Sequence, residues 1–109
     1  MNKSIIITSL FVFLFFSCNS KEKSSEEINE IFESYYQESL KLYPLSATSQ
    51  GDVRYNDFLP NNLSDDFRNK EKLFYSEYIN YLNEFDDNFL VEEDLLSKKI
   101  LLWECDRNL

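Results

Sequence analysis

An apolar run of about a dozen residues, Ile5 to Phe16, ends on Ser17-Cys18 and decides how much of this chain is left to fold. A membrane-spanning helix needs roughly 20 apolar residues to cross about 30 Å of hydrocarbon. The run is too short for that. It fits the h-region of a secretory signal, with Lys3 the only charge before Lys21.

The residue before a signal cleavage point is small, and Ser17 meets that condition. Leu14-Phe15-Phe16-Ser17-Cys18 reads as a lipobox, in which the cysteine sulfur is diacylated and its amine is freed by cleavage; Phe15 stands where Leu is usual. Residues 1–17 are therefore expected to be a lipoprotein signal peptide. Residues 18–25 are expected to be the acylated Cys18 and a polar tether, and residues 26–109 a helical body. The reading makes the membrane a partner through lipid on Cys18. Asn19, and not Asp, follows that cysteine, so the familiar inner-membrane retention signal is missing and the outer membrane is favoured over the inner. A thioether at Cys18 also leaves Cys105 without a disulfide partner. Beside Trp103 on a helical pattern, with no histidine to activate it, Cys105 reads as a small buried hydrophobe.

Removing the signal leaves 92 residues, one small domain at most, and moves the formal charge from −9 to −10. That acidity argues against nucleic acid, whose phosphates call for Lys and Arg. It argues equally against electrostatic docking to anionic lipid, so the acyl chains must supply the membrane affinity. There is no histidine, which removes imidazole base catalysis, Ser-His and Cys-His pairs and histidine-based zinc sites. One glycine and two prolines leave no Gly-rich phosphate loop.

The mature chain reads as all-α, with about three amphipathic helices. Ser24 and Glu27 have capping-box spacing before a stripe of Ile28, Ile31, Phe32, Tyr35, Tyr36, Leu40, Leu42 and Tyr43, which Pro44 ends. Residues 44–63 read as a long irregular connection in which Gly51 takes a turn and Tyr55, Phe58 and Leu59 fold back onto the helices. Ser64-Asp65-Asp66 starts a second helix whose face carries Phe67, Phe74, Tyr78, Tyr81, Leu82 and Phe85. Such a stripe can stack carbohydrate, but at helical spacing it reads as core. Asp86-Asp87-Asn88 lacks the spacing and the glycine of a calcium loop. Glu92-Glu93-Asp94 opens a third helix, on which Leu95, Leu96, Ile100, Leu101, Leu102 and Trp103 spread round much of the circumference. A helix apolar on so many sides needs more than two neighbours, so the body is expected to be part of a larger helical domain.

Tyr43-Pro44 with Ala47-Thr48 and Gly51, then Tyr55-Asn56-Asp57, resembles the "P-x-x-A-T-x-x-G … Y-D" opening of the bacterial domain-of-unknown-function family 885, many of whose members are lipoproteins. Leu96 to Glu104, ending in Trp-Glu, is similar to that family's third-helix pattern; Asn56 departs from a direct Tyr-Asp pair. The resemblance covers roughly residues 27–109, the opening part of a typical member. It implies a large helical domain like that of thermolysin-type zinc peptidases, with zinc held by a His-Glu-x-x-His helix well downstream. None of those residues lies in this chain, so no catalytic, metal or cofactor residue is assigned and Cys18 is the only site residue. Two functions stay open: the non-catalytic N-terminal part of an exported, zinc-peptidase-like hydrolase acting on peptides, or a small acidic lipoprotein that binds a protein partner at the cell envelope.

Overall fold

The structure is a computed structural model that describes the backbone of residues 2–109 and the side chains from residue 20 onward. The chain is all-helical there: α1 (Asn2–Leu42), α2 (Pro44–Ser49), α3 (Asp65–Asn83) and α4 (Glu92–Asn108), with single 3-10 turns at Val53–Tyr55 and Asp87–Phe89. The side chains of the expected signal peptide and of Cys18 lie outside the described residues.

The three long helices answer the three apolar stripes, but two boundaries differ from the sequence reading. No helix start forms at Ser24: the stretch expected to be a tether is continuous with α1. Residues 20–25 contain Lys, Glu and Ser with neither Gly nor Pro, so nothing interrupts the helix. A capping-box spacing inside a continuous helix has no free N–H groups to satisfy. Lys23 and Glu27 instead form an i,i+4 ion pair at 3.7 Å on the exposed face. The second difference is α2. Pro44 both stops α1 and opens the next helix at its first position, where its missing N–H costs nothing.

The connection from 44 to 56 is thus a packed unit. Pro44 and Ala47 are buried, and the Ala47 carbonyl accepts the Asp52 N–H at 2.9 Å. Thr48 Oγ1 donates to Asn56 Oδ1 at 2.7 Å. Arg54 grips Asp52 through Nε and Nη2 and reaches Gln37 Oε1 of α1 at 2.9 Å; Tyr36 Oη donates to Gln50 Oε1 at 3.2 Å. Gly51 turns the chain at φ +86°, and a Cβ there would meet nothing within 4 Å. Gly51→Ala therefore carries backbone strain without a clash. It is expected to lower stability by about 1 kcal/mol, read in a urea melt, and an unchanged midpoint would contradict that.

The expectation that Tyr55, Phe58 and Leu59 fold back onto the helices holds in part: Tyr55 is half-buried, whereas the other two only border cavities against helix residues. Leu59 is 72% exposed and Phe58 55%, held on the rim of a cavity. The second-helix stripe needs a smaller correction. Phe67, Phe74, Tyr78 and Leu82 are buried as expected, but Tyr75 is buried while Tyr81 sits at the edge, donating to Glu77 Oε1 at 2.5 Å. Ser64 caps α3 as read, its Oγ accepting the Phe67 N–H at 3.2 Å.

Two clusters make the core between α1, α3 and α4. One gathers Phe74, Tyr75, Tyr78 and Cys105; the other gathers Ile28, Leu82 and Leu90; Ile31 and Leu101 pack against both. Tyr35 stacks on Phe74 with centroids 5.2 Å apart and meets Tyr78 edge-on at 5.1 Å, the offset and T-shaped geometries that ring quadrupoles favour.

Buried charges fasten the helix ends. Asp94, in the first turn of α4, accepts from Ser25 Oγ and from Asn29 Nδ2 (3.2 Å), which joins α4 to the stretch expected to be a tether. The same carboxylate suits the positive end of the helix dipole. Lys98 is 5% exposed, and its Nζ donates to the Phe85 carbonyl and to Asp87 Oδ1, both at 2.6 Å. That pair ties the turn after α3 to the middle of α4.

Candidate functional site

Cys18 is the site residue assigned from sequence, and its side chain lies outside the described residues. Among the described residues the chemistry-bearing groups lie in three places.

The first is the thiol of Cys105, which is fully buried against Tyr75 and Tyr78. Burial pushes it up to about 11, and the charge of the adjacent Glu104 adds to the rise. Glu104 is itself engaged, accepting from Tyr35 Oη at 2.9 Å. A thiol so held stays protonated near neutrality and is not a nucleophile. Because its folded-state value lies above the unfolded one, its contribution to stability is complete below about pH 8.5 and is lost as pH rises through the value near 11. At about pH 8, an aryl disulfide reagent is expected to label native Cys105 only as fast as the protein opens; labelling at the rate of the denatured chain would contradict this burial.

The second is a hydroxyl chain beneath α2. Tyr43 Oη donates to Glu71 Oε1 at 2.7 Å and lies 2.8 Å from Tyr75 Oη. Tyr43 has one proton and gives it to Glu71, so Tyr75 is the donor in the second bond. Burial first, and the bond that Tyr43 donates to Glu71, raise Tyr43 far above an ordinary phenol. Both hydroxyls keep their protons, and the arrangement fixes the end of α1 on α3.

The third is the outward side of α4. Stepping 100° per residue, Asp94, Lys98, Leu101 and Cys105 face the core. Opposite them stand Leu96 (59% exposed), Ile100 (56%) and Trp103 (61%). Glu92 and Glu93 lie at the start of that side, with Lys99 and Arg107 further along. Arg107 sits over the Trp103 ring at 4.8 Å from its centroid. The α4 side therefore joins three large apolar groups to charges of both signs, Asp106 beside Trp103 among them.

The zinc that the family resemblance implies finds no ligand set in these residues. The sequence has no histidine, and no cluster of three His, Cys, Asp or Glu side chains able to hold a metal occurs among the described residues. Asp86 caps the 3-10 turn by accepting the Asn88 N–H at 2.9 Å, and Asp87 is bound to Lys98, whose ammonium holds it below the ordinary carboxylate range. Among the described residues no helix is long and apolar enough to cross a membrane. Comparison with protein-family models, with curated proteins and with solved structures finds no match to this chain.

Sequence reasoning read Cys105 as buried, as it is, but placed Trp103, Ile100 and Leu96 on the last helix without fixing which side each would take. It missed the ion pair of buried Lys98 with Asp87 and the anchoring of Asp94, because each depends on a partner from another element.

Proposed function

We propose that this chain is the lipid-anchored N-terminal helical part of an exported protein resembling family 885, and that its residues scaffold a larger helical domain without taking part in its chemistry. The observation that carries the reading is the exposed Leu96, Ile100 and Trp103 side of α4. Each of these side chains, fully covered, contributes about 1.5–3 kcal/mol, so further helices have a strong reason to pack there. The unit from Pro44 to Asn56 supports the same reading. Its Pro, Ala, Thr and Gly each fill a distinct structural need, so the residues behind the resemblance act as one element. In this reading zinc and any peptide substrate belong to segments beyond those described.

The second reading, a small acidic helical lipoprotein that binds a protein partner at the envelope, uses the same α4 side. An antibody raised against residues 20–109 separates the two on envelope fractions from the native source. The family-like reading expects a cellular product several times the 13.1 kDa of this chain. A product no larger than the chain itself would overturn it in favour of the small lipoprotein.

A further inference from the structure

Where the end of α1 meets the start of α3, the loop leaves a cavity of about 330 Å³ that neither the core nor the proposed scaffold role uses. Its floor is Leu42, Phe67 and Phe74, and Phe58 closes one side. Phe58 stands 55% exposed, while Phe67 and Phe74 are 6% and 9% exposed. The space thus has a rigid aromatic base and one free aromatic wall, at the lower end of the size range of small-molecule sites.

The polar groups at this cavity are few and of unequal standing. Glu38 lines it but also engages the Tyr78 hydroxyl, raising that phenol together with burial. Lys41 and Lys70 line it from α1 and α3, and among the described residues neither ammonium has an ion-pair partner. Two unpaired cations from two different helices beside an aromatic floor stand out on an acidic chain, where 20 carboxylates face 11 basic residues. The charge complement is an anion, and the shape complement is a flat ring. We propose that this groove binds a small free aryl carboxylate, its ring between Phe58 and the Phe67–Phe74 floor and its carboxylate between Lys41 and Lys70. The inference is independent of the family reading, because it rests only on residues of this chain.

The experiment titrates the full chain, in detergent, with 3-phenylpropionate, following chemical shifts or heat. Saturable binding with a Kd of about 1 mM is expected for so small a ligand in so open a site. The neutral amide of the same acid should bind at least tenfold more weakly, and added salt should weaken the acid but not the amide. Lys41→Ala with Lys70→Ala should abolish the preference for the acid, and Phe58→Ala should weaken acid and amide alike by several-fold. Both changes are at exposed side chains, so a far-ultraviolet spectrum matching the parent shows that folding is intact. Equal binding of acid and amide, no saturation, or an unchanged preference after removal of both lysines would overturn the proposal. A tripeptide ending in Phe with a free carboxylate that binds more than tenfold tighter than the small acid would also overturn it, by reassigning the groove to peptide ends.

Discussion

Replacing Leu82 by alanine is expected to cost this fold about 3 kcal/mol, within the 2–5 kcal/mol range for large-to-small changes in a packed core. Leu82 is fully buried in the cluster with Ile28 and Leu90, and Phe32, Phe85, Leu95, Leu101 and Leu102 pack around the same cluster. Elements α1, α3 and α4 all converge on it, so the cavity left by truncation cannot close without moving a helix. A domain of this size has about 5–15 kcal/mol in total. The loss should therefore appear as a drop of about 12 °C or more in the melting midpoint. Leu73 lies on the opposite side of the same helix and is 69% exposed. Leu73→Ala should shift stability by less than about 0.5 kcal/mol. Equal effects at the two positions would mean that α3 is turned the wrong way round.

Cys18→Ala should have the larger cellular effect. Each buried methylene of an acyl chain contributes about 0.8 kcal/mol, so two or three chains hold a protein durably where one does not. The acidic chain adds no attraction to anionic lipid, since its formal charge is −9. In the proposed reading the acyl chains carry the attachment, and among the described residues no helix is long and apolar enough to cross the bilayer. The variant is expected to lose palmitate label entirely. A variant that still labels would sink the lipid-anchor reading.

What the sequence reveals of the fold follows from which forces are local. The α3 start was legible because Ser64 carries its own capping oxygen three residues from the N–H that it satisfies. The α4 start was legible because Glu92, Glu93 and Asp94 crowd one helix end. Periodicity found the stripes but not their edges: Tyr75 and Tyr81 flank the same α3 stripe, and only the position of α4 decides that Tyr75 is the buried one. The capping-box spacing at Ser24 and Glu27 misled, because that pattern describes a helix end only where the preceding residues leave the helix. Helix α2 escaped because six residues are too few to show a period, although Pro44 at its start was in plain view. The cavity between Lys41 and Lys70 was not legible at all, since its walls come from residues nearly thirty positions apart in sequence and meet only when the Pro44–Asn56 unit folds.

The lone cysteine of the body was the most legible feature of the interior. With Cys18 read as the lipid site and no histidine in the chain, the sequence reading leaves Cys105 a packing role, and it lies fully buried among tyrosines. The α4 side was half legible: its apolar excess was plain, whereas the separation into a core side with Cys105 and an outward side with Trp103 needed the neighbouring helices.

The most direct test of the account is the mass of the N-terminal proteolytic peptide from the envelope-bound product, with and without an inhibitor of lipoprotein signal peptidase. The account predicts a peptide beginning at Cys18 that carries a diacylglyceryl group, and, under inhibition, a lipidated peptide that still retains residues 1–17. An unmodified peptide beginning at Met1, or a cut that leaves Cys18 as a free thiol, would contradict it.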